Sequence, residues 1–116
     1  MKVAETPPCT YVLCRGATIF GFLTIHHAPG GVLWIDEIVV EESARDNGYG
    51  GILLRFADTI GRQTDCNSVR LFGIEGVVDK YERYGYQKIE GKKPISLDAE
   101  AYWPMERALL YHQRQR

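Results

Sequence analysis

The chain has 116 residues, enough for a single hydrophobic core and too few for two. Apolar residues make up 45% and charged residues 25%, the balance of a globular domain rather than a fibrous or unfolded chain. Fourteen basic residues stand against 15 acidic ones, for a formal net charge of −1, which argues against a phosphate-backbone partner and its usual strongly basic protein face.

No run of about 18 apolar residues occurs, so no membrane span is expected. The opening "MKVAETPPCT" lacks the apolar stretch of a signal peptide. Cys9, Cys14 and Cys66 form no CxxC pair and are odd in number, as expected of reduced thiols in a cytoplasmic protein. No metal site is expected: His26 and His27 are adjacent on a strand and should point to opposite faces.

In chain order, "TYVLCRG" (10–16) and "ATIFGFLTIHHA" (17–28) read as strands joined at Gly16, rich in β-branched and aromatic residues. "APGG" (28–31) is a turn, and "VLWIDEIVVEE" (32–42) is a third strand with Asp36 and Glu37 in its middle. After Gly50 the period changes. Leu53, Phe56, Ala57 and Ile60 fall at i, i+3, i+4 and i+7, one face of a helix, with Tyr49 a candidate to start the same stripe. "SVRLFGI" (68–74) is a strand, and "VVDKYERYG" (77–85) is a short helix that Gly85 would end in the left-handed conformation. "YQKIEGK" (86–92) is a strand and "KKPISLDAE" a loop. "AYWPMERALLYH" (101–112) is a last strand, with Pro104 at an edge or bulge, and the tail 113–116 should fray. The order β-β-β-α-β-α-β-β predicts one α+β domain over 1–116, with a mixed, largely antiparallel central sheet and two helices.

"ARDNGYGGILL" carries the chemistry. A helix start leaves backbone N–H groups without partners at the positive end of the dipole, and an anion satisfies both. Gly48, Gly50 and Gly51 remove the side chains that would keep a phosphate away, and Arg45 adds a charged donor. No Gly-Lys-Ser/Thr follows, so the turn is not a Walker A loop. "GYGGIL" also lacks the third glycine of a dinucleotide fingerprint.

Strand "IVV" followed by "EESARDNGYGGILL" resembles motif A of the GNAT superfamily of acyl-CoA N-acyltransferases, (R/Q)xxGx(G/A), with Arg45, Gly48 and Gly50 on the motif positions. Downstream, "KYERYGYQKI" resembles the family's "FYEKLGF" segment at Tyr81, Glu82, Gly85 and Tyr86. The two motifs together cover roughly residues 32–90. The resemblance implies an acetyl-CoA or other acyl-CoA donor. It implies a pyrophosphate held by Arg45, Asp46, Asn47, Gly48, Tyr49, Gly50 and Gly51, and a pantetheine arm paired with the backbone of Ile38, Val39 and Val40. It also implies that the helices which usually precede the second strand are reduced or absent here.

On the same resemblance, Tyr81 aligns with the general acid that protonates the departing thiol, and a backbone N–H near Val40 polarises the thioester carbonyl. Glu37 is the candidate base because it sits on the strand carrying the thioester. Asp36 is its alternate, and His26 and His27 are further candidates. The tyrosines Tyr81, Tyr84, Tyr86 and Tyr102 line the acceptor cleft or pack the core, and Trp34 and Trp103 read as core or interface residues. The acceptor implied is an amine, on a protein (lysine or N-terminus) or a small molecule, with a homodimer able to complete its site. The competing expectation is a catalytically silent module of the same fold that binds acyl-CoA or a partner.

Overall fold

A computed structural model describes residues 6–109. Seven strands form one sheet: β1 (Cys9–Arg15), β2 (Thr18–Ala28), β3 (Val32–Val40), β4 (Ser68–Ile74), β5 (Gln87–Lys88), β6 (Ile95–Leu97) and β7 (Glu100–Ala108). The order across the sheet is β1-β2-β3-β4-β7-β5, with β6 also paired to β7. Every pairing is antiparallel except β3 with β4. The two helices are α1 (Tyr49–Gln63), which makes the crossover between the parallel strands, and α2 (Val78–Glu82). Among the described residues no helix precedes β1, and no helix is long and apolar enough to cross a membrane.

Strand alternation sorts the sheet into two faces. Leu23, Ile25, Leu33, Ile35, Val69, Leu71 and Met105 are buried in one cluster with Leu53, Leu54 and Ala57 of α1 and Val78 of α2. Each fully buried leucine contributes roughly 1.5–3 kcal/mol. The buried stripe of α1 runs through Gly51, Leu53, Leu54, Ala57 and Gly61. It is therefore rotated from the expected one: Phe56 remains 39% exposed, its ring packed edge-to-face with Tyr11, centroids 5.0 Å apart. Arg107 of β7 reaches across the same face to Asp58 of α1, Nε to Oδ2 at 2.7 Å.

Four expectations change. The third strand ends at Val40, and residues 42–44 form a 3-10 turn. The expected strand 86–92 shrinks to two residues. The expected loop at 92–100 contains β6, joined to β7 by Asp98 and Ala99 with φ of 52° and 65°, the pattern of a type I′ turn. Pro104 lies within β7, opposite Phe72 of β4. Along the other side of β7, β6 pairs Glu100–Tyr102 and β5 pairs Met105 and Glu106, and just past β5 the Ile89 N–H donates to the Pro104 carbonyl at 3.0 Å, so the proline serves this side as an acceptor, a part that needs no N–H of its own. The strand expected over 101–112 is seen as Glu100–Ala108; residues 110–112 and the tail 113–116 lie outside the described residues.

Candidate active site

The site begins where the parallel pairing stops. β3 and β4 pair at Val32–Ser68, Leu33–Val69 and Trp34–Arg70 and no further. The Trp34 ring stacks on Phe72 at this point, centroids 5.2 Å apart and 15° from parallel. Beyond it the strands separate, and two hollows open along the gap.

The larger hollow, about 620 Å³, is lined by residues of four strands and the α2 segment: His26 on β2, Trp34 to Ile38 on β3, Leu71, Phe72 and Ile74 on β4, Tyr102 on β7, then Val77 just before α2 and Tyr81 on it. The smaller, about 280 Å³, is lined by Ile38, Val39, Val40, Arg45, Gly50, Leu54, Lys80 and Tyr81. Ile38 and Tyr81 belong to both, so they stand where the two meet.

A β-bulge shapes the first hollow. Thr24 pairs with Glu37 and Ile25 with Ile35, leaving Asp36 as the extra residue of β3. The strict alternation expected of Asp36 and Glu37 is broken here, and both line the cleft. Asp36 accepts from His26 Nδ1, at 2.9 Å to Oδ1 and 2.8 Å to Oδ2. His27 turns to the other face, where its Nε2 lies 2.9 Å from the Thr64 hydroxyl. Two carboxylates and an imidazole thus stand at the mouth of an otherwise apolar and aromatic cleft.

Tyr81 is fixed by its neighbours. A Cβ added at Gly73 on β4 would stand 3.2 Å from Tyr81 Cδ2, so the absent side chain lets the ring lie against the strand. The edge of Tyr81 meets Tyr86, centroids 6.3 Å apart. Burial pushes the Tyr81 phenol above its ordinary pKa of 10.0, so it holds its proton at neutral pH. Gly85 ends the α2 segment at φ 92°, and a Cβ there would collide with Arg107 Nη1.

At the other end of the gap stands the glycine turn. Gly48 is the N-cap of α1 at φ 81°, and the first helical bond runs from the Ile52 N–H to the Gly48 carbonyl at 3.2 Å. The amides of Tyr49, Gly50 and Gly51 precede that bond, and no side chain caps them. Arg45 Nε donates to the Val40 carbonyl at 3.2 Å, and the Asn47 amide donates to the carbonyls of Ala44 and Arg45, both at 3.0 Å. Asp46 takes a left-handed φ of 67°, a conformation that Asp tolerates better than most residues with a side chain. Gly48 has open space around it, whereas a Cβ on Gly51 would lie 2.6 Å from the Tyr84 hydroxyl, so Gly51 serves the contact of α1 with the α2 segment.

Of the residues singled out from sequence, Ile38, Val39, Val40, Arg45, Gly50 and Tyr81 gather around the smaller hollow, and Glu37, Ile38 and Tyr81 around the larger. Asp46, Asn47, Gly48 and Tyr49 form the turn beside them, with the Tyr49 ring stacked on Phe20 of β2, centroids 4.5 Å apart. Tyr102 lines the cleft; Tyr86 is buried in the core, and Tyr84 lies behind Gly51. Lys80 was not singled out, although its place beside Tyr81 on a short helix pointed to it. Trp103 donates to Glu75 at 2.6 Å beneath Lys88, away from the cleft.

A splayed parallel pair with helices on one face, and a bare helix N-terminus at the end of the splay, defines an acyltransferase-type domain. The chain belongs to the acetyltransferase (GNAT) family, whose model matches residues 2–86. The fold is shared with an acetyltransferase from Bacillus cereus (TM-score 0.79, 24% identity, 93% of this chain and 76% of that one). It is shared also with Ard1 from Thermoplasma volcanium (TM-score 0.75, 22% identity, 85% and 69%). An acyl-CoA N-acyltransferase from Pseudomonas aeruginosa is also similar (TM-score 0.72, 19% identity, 89% and 70%). No curated protein matches the sequence.

Proposed function

We infer that the protein is an N-acetyltransferase that moves an acetyl group from acetyl-CoA to a primary amine by direct attack in a ternary complex. The observation that carries this reading is the position of Tyr81 where the two hollows meet, one leading to the uncapped amides of α1 and the other to Asp36, Glu37 and His26.

The pyrophosphate would sit on the amides of Gly48 to Gly51, where backbone donors and the helix dipole favour an anion, with Arg45 and Lys80 as nearby cations. The pantetheine amides would pair with the backbone of Ile38 to Val40, which meets no strand on the β4 side. The amine nitrogen attacks the acetyl carbonyl carbon, and its proton passes to the Glu37 carboxylate directly or through water. The negative charge formed on the carbonyl oxygen is met by a backbone N–H near Val40. The C–S bond then breaks, and the departing thiolate takes the phenolic proton of Tyr81. The His26–Asp36 pair gives a second route for the amine proton, favoured by its 2.8 Å contact inside the same cleft.

Incubation with labelled acetyl-CoA and a panel of amines and lysine peptides tests the assignment. Transfer that falls sharply in Tyr81→Phe supports it. Acetyl-CoA binding by calorimetry with no transfer to any amine supports the silent module instead.

A further inference from the structure

The face of the sheet opposite α1 and α2 carries an apolar notch of about 240 Å³ lined by Phe72, Ile95, Leu97 and Tyr102. Ile95 is 51% exposed, Leu97 59% and Phe72 41%, and no charged group lines the notch. Apolar side chains gathered and exposed in this way offer a contact surface to an apolar group. Two of the four, Phe72 and Tyr102, also line the larger hollow, so notch and cleft are continuous.

We propose that the acceptor is a polypeptide whose amine enters the cleft beside Asp36 and Glu37 while a neighbouring apolar side chain seats in the notch of Phe72, Ile95, Leu97 and Tyr102. This rests on reading the larger hollow as the acceptor cleft. The chemistry along the joined surface is divided: carboxylates at one end suit a cationic amine, and an uncharged wall at the other suits an aliphatic or aromatic group. A polypeptide fits better than a small amine because β6, which supplies Ile95 and Leu97, pairs only with β7. Its other edge meets no strand among the described residues and offers backbone groups to an extended chain.

The test uses short lysine peptides of alanine and serine in which one leucine is moved stepwise along the chain. One placement is expected to raise kcat/KM by about tenfold or more, mainly through KM, as the burial of one leucine side chain allows. The double variant Ile95→Ser, Leu97→Ser is expected to lose that gain while keeping its affinity for acetyl-CoA, which reports an intact fold. Equal rates for every placement, or a preference that survives the double variant, would overturn the proposal. So would a dimer that becomes a monomer in the double variant, because the notch would then be covered by a second copy. Transfer to small amines but to no peptide removes this inference and leaves the enzymatic reading standing; transfer to no amine removes both.

Discussion

Arg45 Nε donates to the carbonyl of Val40 at 3.2 Å and so ties the glycine turn to the last residue of β3. The bond joins the two segments proposed to grip the donor, one at its pyrophosphate and one along its pantetheine. Arg45→Ala removes both the tie and a cation beside the helix N-terminus. Its acetyl-CoA dissociation constant is expected to rise about ten- to a hundredfold, the range for losing a hydrogen bond to a charged group. Calorimetry at fixed salt checks this; an unchanged constant would mean that the arginine has only a structural part.

Gly51 is a packing glycine as well as an amide donor. An added Cβ would stand 2.6 Å from the Tyr84 hydroxyl and 3.0 Å from ring carbons of the same side chain. Gly51→Ala is expected to destabilise the fold by about 1–3 kcal/mol. Tyr84→Phe removes the closest atom, so it should return part of that loss in the double variant, giving a favourable coupling in a double-mutant cycle of denaturation. Strict additivity would contradict the contact.

Tyr81 is proposed to protonate the leaving thiol. Tyr81→Phe should lower kcat by about a hundredfold and leave acetyl-CoA affinity nearly unchanged. The raised pKa of the phenol means that it keeps its proton past pH 10.0, so any alkaline loss of turnover that depends on Tyr81 should fall above that value. A Tyr81-dependent loss with a midpoint below pH 10 would contradict the assignment.

The Tyr86 hydroxyl is buried without a hydrogen-bond partner among the described residues. Burial raises its pKa first of all, and the nearby negative charge of Asp58 adds to this, with Arg107 opposing. Burial penalises only the ionised phenol, so the fold keeps its full stability below the unfolded pKa and loses it progressively as pH rises above that value. Tyr86→Phe should therefore stabilise the protein by about 1 kcal/mol at neutral pH, because the orphaned hydroxyl goes. It should also flatten the decline in stability above pH 10. Chemical denaturation at pH 7 and pH 11 reads both effects, and a clear destabilisation at pH 7 would show that the hydroxyl is satisfied in solution.

Period and composition were enough to read β1 to β4 and α1 from sequence, because each carries its own alternation or helical stripe. The β6–β7 hairpin was not readable: its turn is Asp98-Ala99, with alanine in a left-handed conformation where glycine or asparagine is the usual sign. The glycine turn was legible from residue type alone. The grouping of Asp36, Glu37 and His26 was not, since it depends on a bulge that adds one residue to β3 and cancels the alternation expected there. Gly51 and Gly73 show the same limit, because their role is set by Tyr84 and Tyr81, partners distant in sequence.

The central claim is that an acyl-CoA lies in the gap between β3 and β4, with its pyrophosphate on the start of α1 and its sulfur at Tyr81. A crystal structure with acetyl-CoA measures this directly. The account predicts pyrophosphate oxygens within hydrogen-bond distance of the amides of Gly48 to Gly51, pantetheine amides paired with Ile38 to Val40, and the sulfur within reach of the Tyr81 hydroxyl. A donor bound elsewhere, or a Tyr81 hydroxyl turned away from the sulfur, would contradict it.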